Sequence, residues 1–326
     1  MPTRPPSMGT TEDEPLATMT WKTKARITRT CAQLPGAERW YRLIQAHFGR
    51  LKGNPESRLA ATLEMVALLR KHELPLQGRY MEVGTGHVPV VPLGLFLAGA
   101  RDTWTFDLNR RLDPEMTLRA LAWIAEHEDY VASTFAPFVN DSEVRTRLRR
   151  LRGITDLTRL LEAARIHYAA PADAAKTGLP DHSIDCHFSV TTLEHITPGT
   201  VGGIFREARR VLAADGVALH FIDPSDHFAH TDKSISQINF LRFTEAEWQR
   251  IAGNRFAYCN RLRASDYARV FSEAELNIAD EQRVVDPHSV ALLQQAFPVD
   301  MRFIGYAETD LCTTRYNVLL KLFDPV

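Results

Sequence analysis

The chain has 326 residues, 44% hydrophobic and 24% charged, with a formal net charge of -1. That apolar share supports a sizeable globular core, and the near-zero charge gives no general pull toward nucleic acid or a membrane surface. The four cysteines, Cys31, Cys186, Cys259 and Cys312, form no CxxC pair. This argues against a zinc ribbon or a disulfide framework and fits a reducing, cytoplasmic setting. No run of about 18 apolar residues is present, so no transmembrane helix is expected.

In chain order, residues 1–19 are rich in Pro, Thr and acids and read as a disordered leader rather than a signal peptide. Trp40, Leu43, Ile44, His47 and Phe48 fall on one helical face. Asn54-Pro55 then reads as an N-cap with a proline at the first helical position. Leu59, Leu63, Val66 and Leu69 carry the next apolar stripe. Residues 20–78 are therefore expected to form an N-terminal helical cap.

From residue 79 the pattern alternates. Strands are predicted at 80–83, 103–106, 166–169, 185–189 and 217–222, with helices at 91–98 and 201–212 and two late strands at 276–285 and 316–323. Such β-α-β order implies an α/β fold: a seven-stranded, mostly parallel, Rossmann-like sheet over 79–326. About 60 residues separate the second and third strands, far more than a short crossover needs. The excess, about 112–164, carries helical stripes such as Leu118, Leu121 and Ala125, and is expected to be a helical lid.

The first strand runs into Met81-Glu82-Val83-Gly84-Thr85-Gly86. Gly84 and Gly86 allow a tight turn and close backbone approach to a ligand. Asp107, at the end of the second strand, is an acceptor-only group suited to the two hydroxyls of a ribose. Pro89 replaces the third glycine of a dinucleotide fingerprint, which lowers the expectation of NAD. By motif alone, a plain strand-turn-helix corner remains open.

Further segments narrow the reading. Pro171-Ala172-Asp173-Ala174-Ala175, then Leu179-Pro180-Asp181-His182-Ser183-Ile184-Asp185, then Ser189 and Leu193-Glu194-His195-Ile196, form an ordered series. Over residues 80–221 this resembles the class I S-adenosylmethionine (SAM)-dependent methyltransferase family, of the type 11-like kind with a Leu-Glu-His-Ile motif. Val88 stands where that family usually has a third glycine, and Asp215-Gly216 where it has a Lys-Pro-Gly-Gly turn. The resemblance implies SAM as cofactor. Glu82, Gly84 and Gly86 would line its methionine part, Asp107 its ribose, Asp173 and the Ala174 N–H its adenine, and the Ser189 backbone its sulfonium. His195 is expected to be packed or capping rather than catalytic.

The segment after the fifth strand, Asp223 to Asp232, mixes acids and histidines where α/β sheets bind ligands. A hydroxyl acceptor benefits from a base near neutrality. His227 is the expected base, with Asp226 or His230 as partner or substitute; the alternative is a polar loop with solvated histidines. His227, His230 and Asp232 also have metal-ligand chemistry, but no Cys joins them and no metal is expected. Arg261 and Arg263 either fork onto a substrate anion or pair with surface acids. Arg145, Arg149 and Arg152 are expected on a solvated helix face. The expected activity is methyl transfer to a hydroxyl of a small molecule or glycan, without nucleic-acid or membrane partners. The alternatives are N-methylation of a small amine or RNA, or SAM binding without catalysis. Oligomeric state has no signal.

Overall fold

A computed structural model of the chain describes residues 19–34, 36 and 55–323. Seven strands, β1 (Arg79–Val83), β2 (Asp102–Phe106), β3 (Ile166–Ala169), β4 (Ile184–Val190), β5 (Leu212–Ile222), β6 (Leu276–Val285) and β7 (Thr313–Leu322), form one sheet in the order β3-β2-β1-β4-β5-β7-β6. β1 pairs in parallel with β2 and β4, and β7 runs antiparallel to both β5 and β6. β1 and β4 are buried along nearly their whole length, as strands covered on both faces must be. The strand order reverses between β1 and β4, which opens a crevice at their carboxyl ends.

Helix α1 spans Trp21–Gln33, α2 Glu56–Lys71 and α3 Val90–Ala98. The last is buried at every position because α2 lies on its outer side and the sheet on its inner side. The segment between β2 and β3 folds as α4 (Pro114–Glu126), α5 (Glu128–Phe135), α6 (Asp141–Leu151) and α7 (Leu157–Ala163). Side chains of Asp113, Asn140 and Asp156 cap three of these by accepting first-turn N–H groups. Ile124, Val131, Phe135, Val144 and Leu148 join the core beneath them, and Arg147 Nη1 donates to the Leu97 carbonyl at 3.0 Å. The segment is thus a helical layer on one sheet face, where the sequence suggested a lid. Its first residue reaches the crevice, through the Asp113 N–H on the His87 carbonyl at 2.9 Å.

The other face is covered by α8 (Pro198–Val211) and α10 (Ala264–Glu273), through Val201, Ile204, Phe205, Tyr267 and Phe271. A third core joins Ala25 of α1 to Phe228, Phe240, Trp248 of α9 (Glu245–Ala252), Phe303 and Leu311. The two described helices of the expected N-terminal cap therefore go to different places. α2 belongs to the sheet layers, and α1 to a cap built on the segment after β5. The helix expected around Trp40–Phe48 and the Asn54 cap lie outside the described residues; Pro55 is the residue preceding α2. Asp215-Gly216, expected as a turn before the fifth strand, sits within β5. The pairing there jumps from Ile184↔Leu212 to Cys186↔Val217, so 213–216 bulge out of the ladder.

Candidate active site

The loop after β1 lies against β2 and the end of β4. Gly84 has φ +82°, and a Cβ there would sit 2.4 Å from Thr192 Cγ2, so only glycine fits. Gly86 also has a left-handed φ, +70°, but a Cβ there would meet nothing within 4 Å. Its N–H donates to Asp107 Oδ2 at 3.1 Å, fixing the carboxylate beside that space. Burial raises the Asp107 carboxyl to about 6, against the opposing Gly86 N–H. Glu82 is buried below the loop and accepts from the Thr105 hydroxyl at 2.7 Å, while the Thr85 and Thr105 hydroxyls also bond to each other. Desolvation pushes Glu82 up to about 8, and the nearby Asp107 adds to it. A buried carboxyl of that kind favours a cationic partner, and the empty side of Gly86 next to a fixed carboxylate fits a ribose.

Asp173 is exposed beyond β3, and its Oδ1 accepts the Ala175 N–H at 2.8 Å. Ala174 is buried beside it. Ser189 departs from expectation, because β4 continues through Val190 and Ser189 lies inside it. Its hydroxyl bonds His220 Nδ1 at 2.8 Å, within a buried pair with His187 under the sheet. The residues that border the crevice at this strand end are Thr191, with φ +49°, and Thr192 against Gly84. A β-branched residue at positive φ is a strained conformation of the kind that gathers at functional sites. Arg58 of α2 reaches the same strand end, with Nη1 on the Val190 carbonyl at 3.2 Å. Neither Thr191 nor Arg58 had a sequence signal, since one depends on a backbone dihedral and the other on packing between distant segments.

The histidine cluster begins at Asp223, directly after β5. Ser225 donates both its N–H (3.0 Å) and its hydroxyl (2.5 Å) to Asp223 Oδ1. Oδ2 is left facing His227 Nε2 at 3.5 Å and His230 Nε2 at 3.4 Å. His195, on a 3₁₀ turn after β4, packs edge-on against His227 with ring centroids 4.8 Å apart. Its Nδ1 lies 2.9 Å from the Tyr258 carbonyl, so the ring proton sits there and Nε2 keeps its lone pair. Burial lowers His227, and the neighbouring His195 lowers it further, against the pull of Asp223. Burial also lowers His195, although one edge of it is accessible. Asp223 and His230 open onto a cleft of about 320 Å³ whose far wall is Val284, Val285, Pro287 and Thr314.

Several expectations are corrected here. Asp226 is not the partner of His227. It is 1% exposed, with Oδ1 accepting the Phe228 N–H at 2.8 Å and Oδ2 the Asn239 amide at 3.3 Å, so it shapes the turn. Asp223 is the carboxylate at the histidines. Asp232 is likewise absent from the cluster, accepting the Trp21 N–H at the start of α1 and bonds from Ser234. Arg261 and Arg263 face neither substrate nor solvent. Both are buried and hold backbone carbonyls, Arg261 those of Phe240 and Phe243, Arg263 that of Pro224, while Arg261 Nη2 also pairs with the exposed Glu245 at 2.6 Å, as the surface-acid alternative had it. Arg145 and Arg152 do lie on a solvated face, paired with Asp129, Asp141 and Glu128. His195, expected to be packed or capping, is exposed, with its ring against that of His227.

A family model described as "Methyltransferase domain" matches residues 143–220, which carry Asp173, Ser189 and the Leu-Glu-His-Ile turn. No curated protein matches the chain. Among solved structures it is similar to the PH0226 protein of Pyrococcus horikoshii OT3, at 13% identity over 82% of this chain and 90% of that one, with a TM-score of 0.44. It is also similar to a SAM-dependent methyltransferase from Methanosarcina mazei, at 12% identity over 78% and 98% of the two chains, with a TM-score of 0.44. The matched model, that of a methyltransferase domain, covers residues 143–220, and the seven-stranded sheet that carries them is of the Rossmann-like α/β kind.

Proposed function

We propose that the chain transfers the SAM methyl group to a hydroxyl of a small molecule or glycan bound in the cleft beside Asp223. The observation that carries this reading is the convergence of His227 Nε2 and His230 Nε2 on one oxygen of Asp223, at 3.5 and 3.4 Å. A hydroxyl is a poor nucleophile until its proton has somewhere to go, and a neutral imidazole beside a carboxylate accepts it. An uncharged amine needs no such group. The cleft, at about 320 Å³, is of small-ligand size.

In this reading Asp107, Gly84 and Gly86 hold the adenosyl part of the cofactor and Glu82 faces its methionine part. Asp173 and Ala174 flank the adenine, and the strand end near Ser189 borders the sulfonium. The bound cofactor supplies an activated methyl whose bond to sulfur breaks as the acceptor oxygen bonds to the carbon. The protein's share is alignment and exclusion of water. Closure on the acceptor side falls to α1. Lys24 Nζ donates to the His227 carbonyl at 3.0 Å and to the Thr231 hydroxyl at 3.1 Å, tying the helix over the histidine loop.

The test is turnover with labelled SAM and extract of the native cell, with the labelled product identified by mass. A methylated hydroxyl, and a slowing of about a hundredfold or more in His227→Ala at unchanged S-adenosylhomocysteine affinity, are expected. A methylated amine formed equally well by His227→Ala would overturn it.

A further inference from the structure

We propose that Asp223, His227 and His230 form a binding site for a divalent first-row metal ion such as zinc. The three donor atoms, Asp223 Oδ2, His227 Nε2 and His230 Nε2, lie within 4.8 Å of one another. The two measured oxygen–nitrogen separations are 3.5 and 3.4 Å. An ion about 2.0–2.1 Å from each donor in tetrahedral geometry sets its ligands about 3.3 Å apart, close to both of these separations. Two imidazoles and one carboxylate, with a further position left open, are a donor set used for zinc and for non-haem iron.

Hydrogen bonding points the same way. His227 Nε2 is buried and has no hydrogen-bond partner, although Asp223 is adjacent. A buried imidazole nitrogen aimed at a carboxylate oxygen without bonding it is costly unless something sits between them. Asp223 Oδ1 is occupied by both donors of Ser225, which leaves Oδ2 as the oxygen turned to the nitrogens. Such support of a ligating carboxylate orients it for an ion. The Ser225 hydroxyl also bonds His230 Nε2 at 3.0 Å; its single proton is on Asp223, so its oxygen accepts there, and an ion on Nε2 would displace that imidazole proton. The His227 and His230 rings stack with centroids 4.8 Å apart.

A second grouping, His195, His227 and Cys259, is also close enough to share an ion. It is the poorer site. The His195 nitrogen near the thiol, at 3.8 Å, is the one whose proton is given to Tyr258, so binding there would break that bond.

The open position of the Asp223 site faces the cleft, where an acceptor hydroxyl or a water would complete the coordination. A hydroxyl bound to the ion loses its proton to water more readily, and the ion then replaces His227 as the activating group. That use rests on the hydroxyl-acceptor reading; the binding itself does not. The full chain, stripped with EDTA, should be titrated with Co²⁺ by visible absorption and with Zn²⁺ by calorimetry. One ion per chain is expected, with the intense bands of tetrahedral cobalt. Asp223→Asn and His230→Ala should each weaken binding about tenfold or more, with unchanged thermal unfolding of the exposed His230→Ala variant showing that it is folded. Cys259→Ser should leave affinity within about twofold. Failure to bind either ion stoichiometrically, or binding indifferent to both ligand variants, would overturn the site. Stoichiometric binding without any methylated hydroxyl sinks only the acceptor reading. Hydroxyl methylation undiminished in chelator, with no ion bound, sinks only the metal site.

Discussion

The Gly86 N–H donates to Asp107 Oδ2 at 3.1 Å, so the turn after β1 and the end of β2 are locked together at the carboxylate proposed to hold the ribose. Burial holds this carboxyl up at about 6. Only the carboxylate accepts from both ribose hydroxyls. S-Adenosylhomocysteine affinity should therefore be level above about pH 7 and fall by up to tenfold per unit as the pH drops below about 6. The ligand-free protein has the opposite dependence. A carboxyl whose folded pKa is raised contributes its stability below the unfolded value, and that contribution is lost as pH rises through 6. Calorimetry from pH 5 to 8 checks the first statement. Thermal unfolding of the ligand-free chain against Asp107→Asn, with the native chain losing ground between about pH 4 and 6, checks the second.

Gly84 and Gly86 should respond differently to a methyl group. Gly84→Ala places a Cβ 2.4 Å from Thr192 Cγ2 in a left-handed backbone, so strain and collision add. Gly86→Ala pays only the backbone cost, of about 1–2 kcal/mol. Thermal unfolding should show the larger loss in Gly84→Ala, and equal losses would contradict the packing described.

The two carboxylates after β5 should separate by role. Asp223→Asn removes the charge facing the histidines and should lower kcat about a hundredfold with little change in melting temperature. Asp226→Asn turns an amide toward the Asn239 amide in a buried turn, and should cost about 1–3 kcal/mol of stability. A kcat loss confined to Asp226→Asn would restore the pairing read from the sequence.

Lys24 couples α1 to the histidine loop through the His227 carbonyl. Lys24→Ala should raise the acceptor KM or lower kcat several-fold while S-adenosylhomocysteine affinity stays put. Equal loss of cofactor affinity would mean that α1 supports the whole crevice rather than its acceptor side.

Periodicity made the sheet legible. The strands at 166–169 and 276–285 have the bounds expected of them, because turns and apolar runs punctuate them sharply. β5 begins earlier than expected because a bulge carries Asp215 and Gly216, residues that otherwise announce a turn. The grouping of Glu82, Gly84, Gly86 and Asp107 was readable since they are set by one strand-turn-helix unit and the strand beside it. The acceptor side was only half readable. His227 and His230 stand out in sequence, but their carboxylate depends on which way a turn throws Asp223 and Asp226. His195 joins them from a different strand end, 32 positions earlier in the chain. Arg263 misled because guanidinium groups are ordinarily at the surface; here it lies under the Pro224 carbonyl and over the Phe240 ring.

The most direct measurement is calorimetric titration of S-adenosylhomocysteine into the native chain and into Asp107→Asn. Saturable binding of one molecule per chain, weakened at least tenfold by the substitution, is predicted. Absence of binding to the native chain, or the same affinity in both proteins, would contradict the placement of the cofactor at this loop.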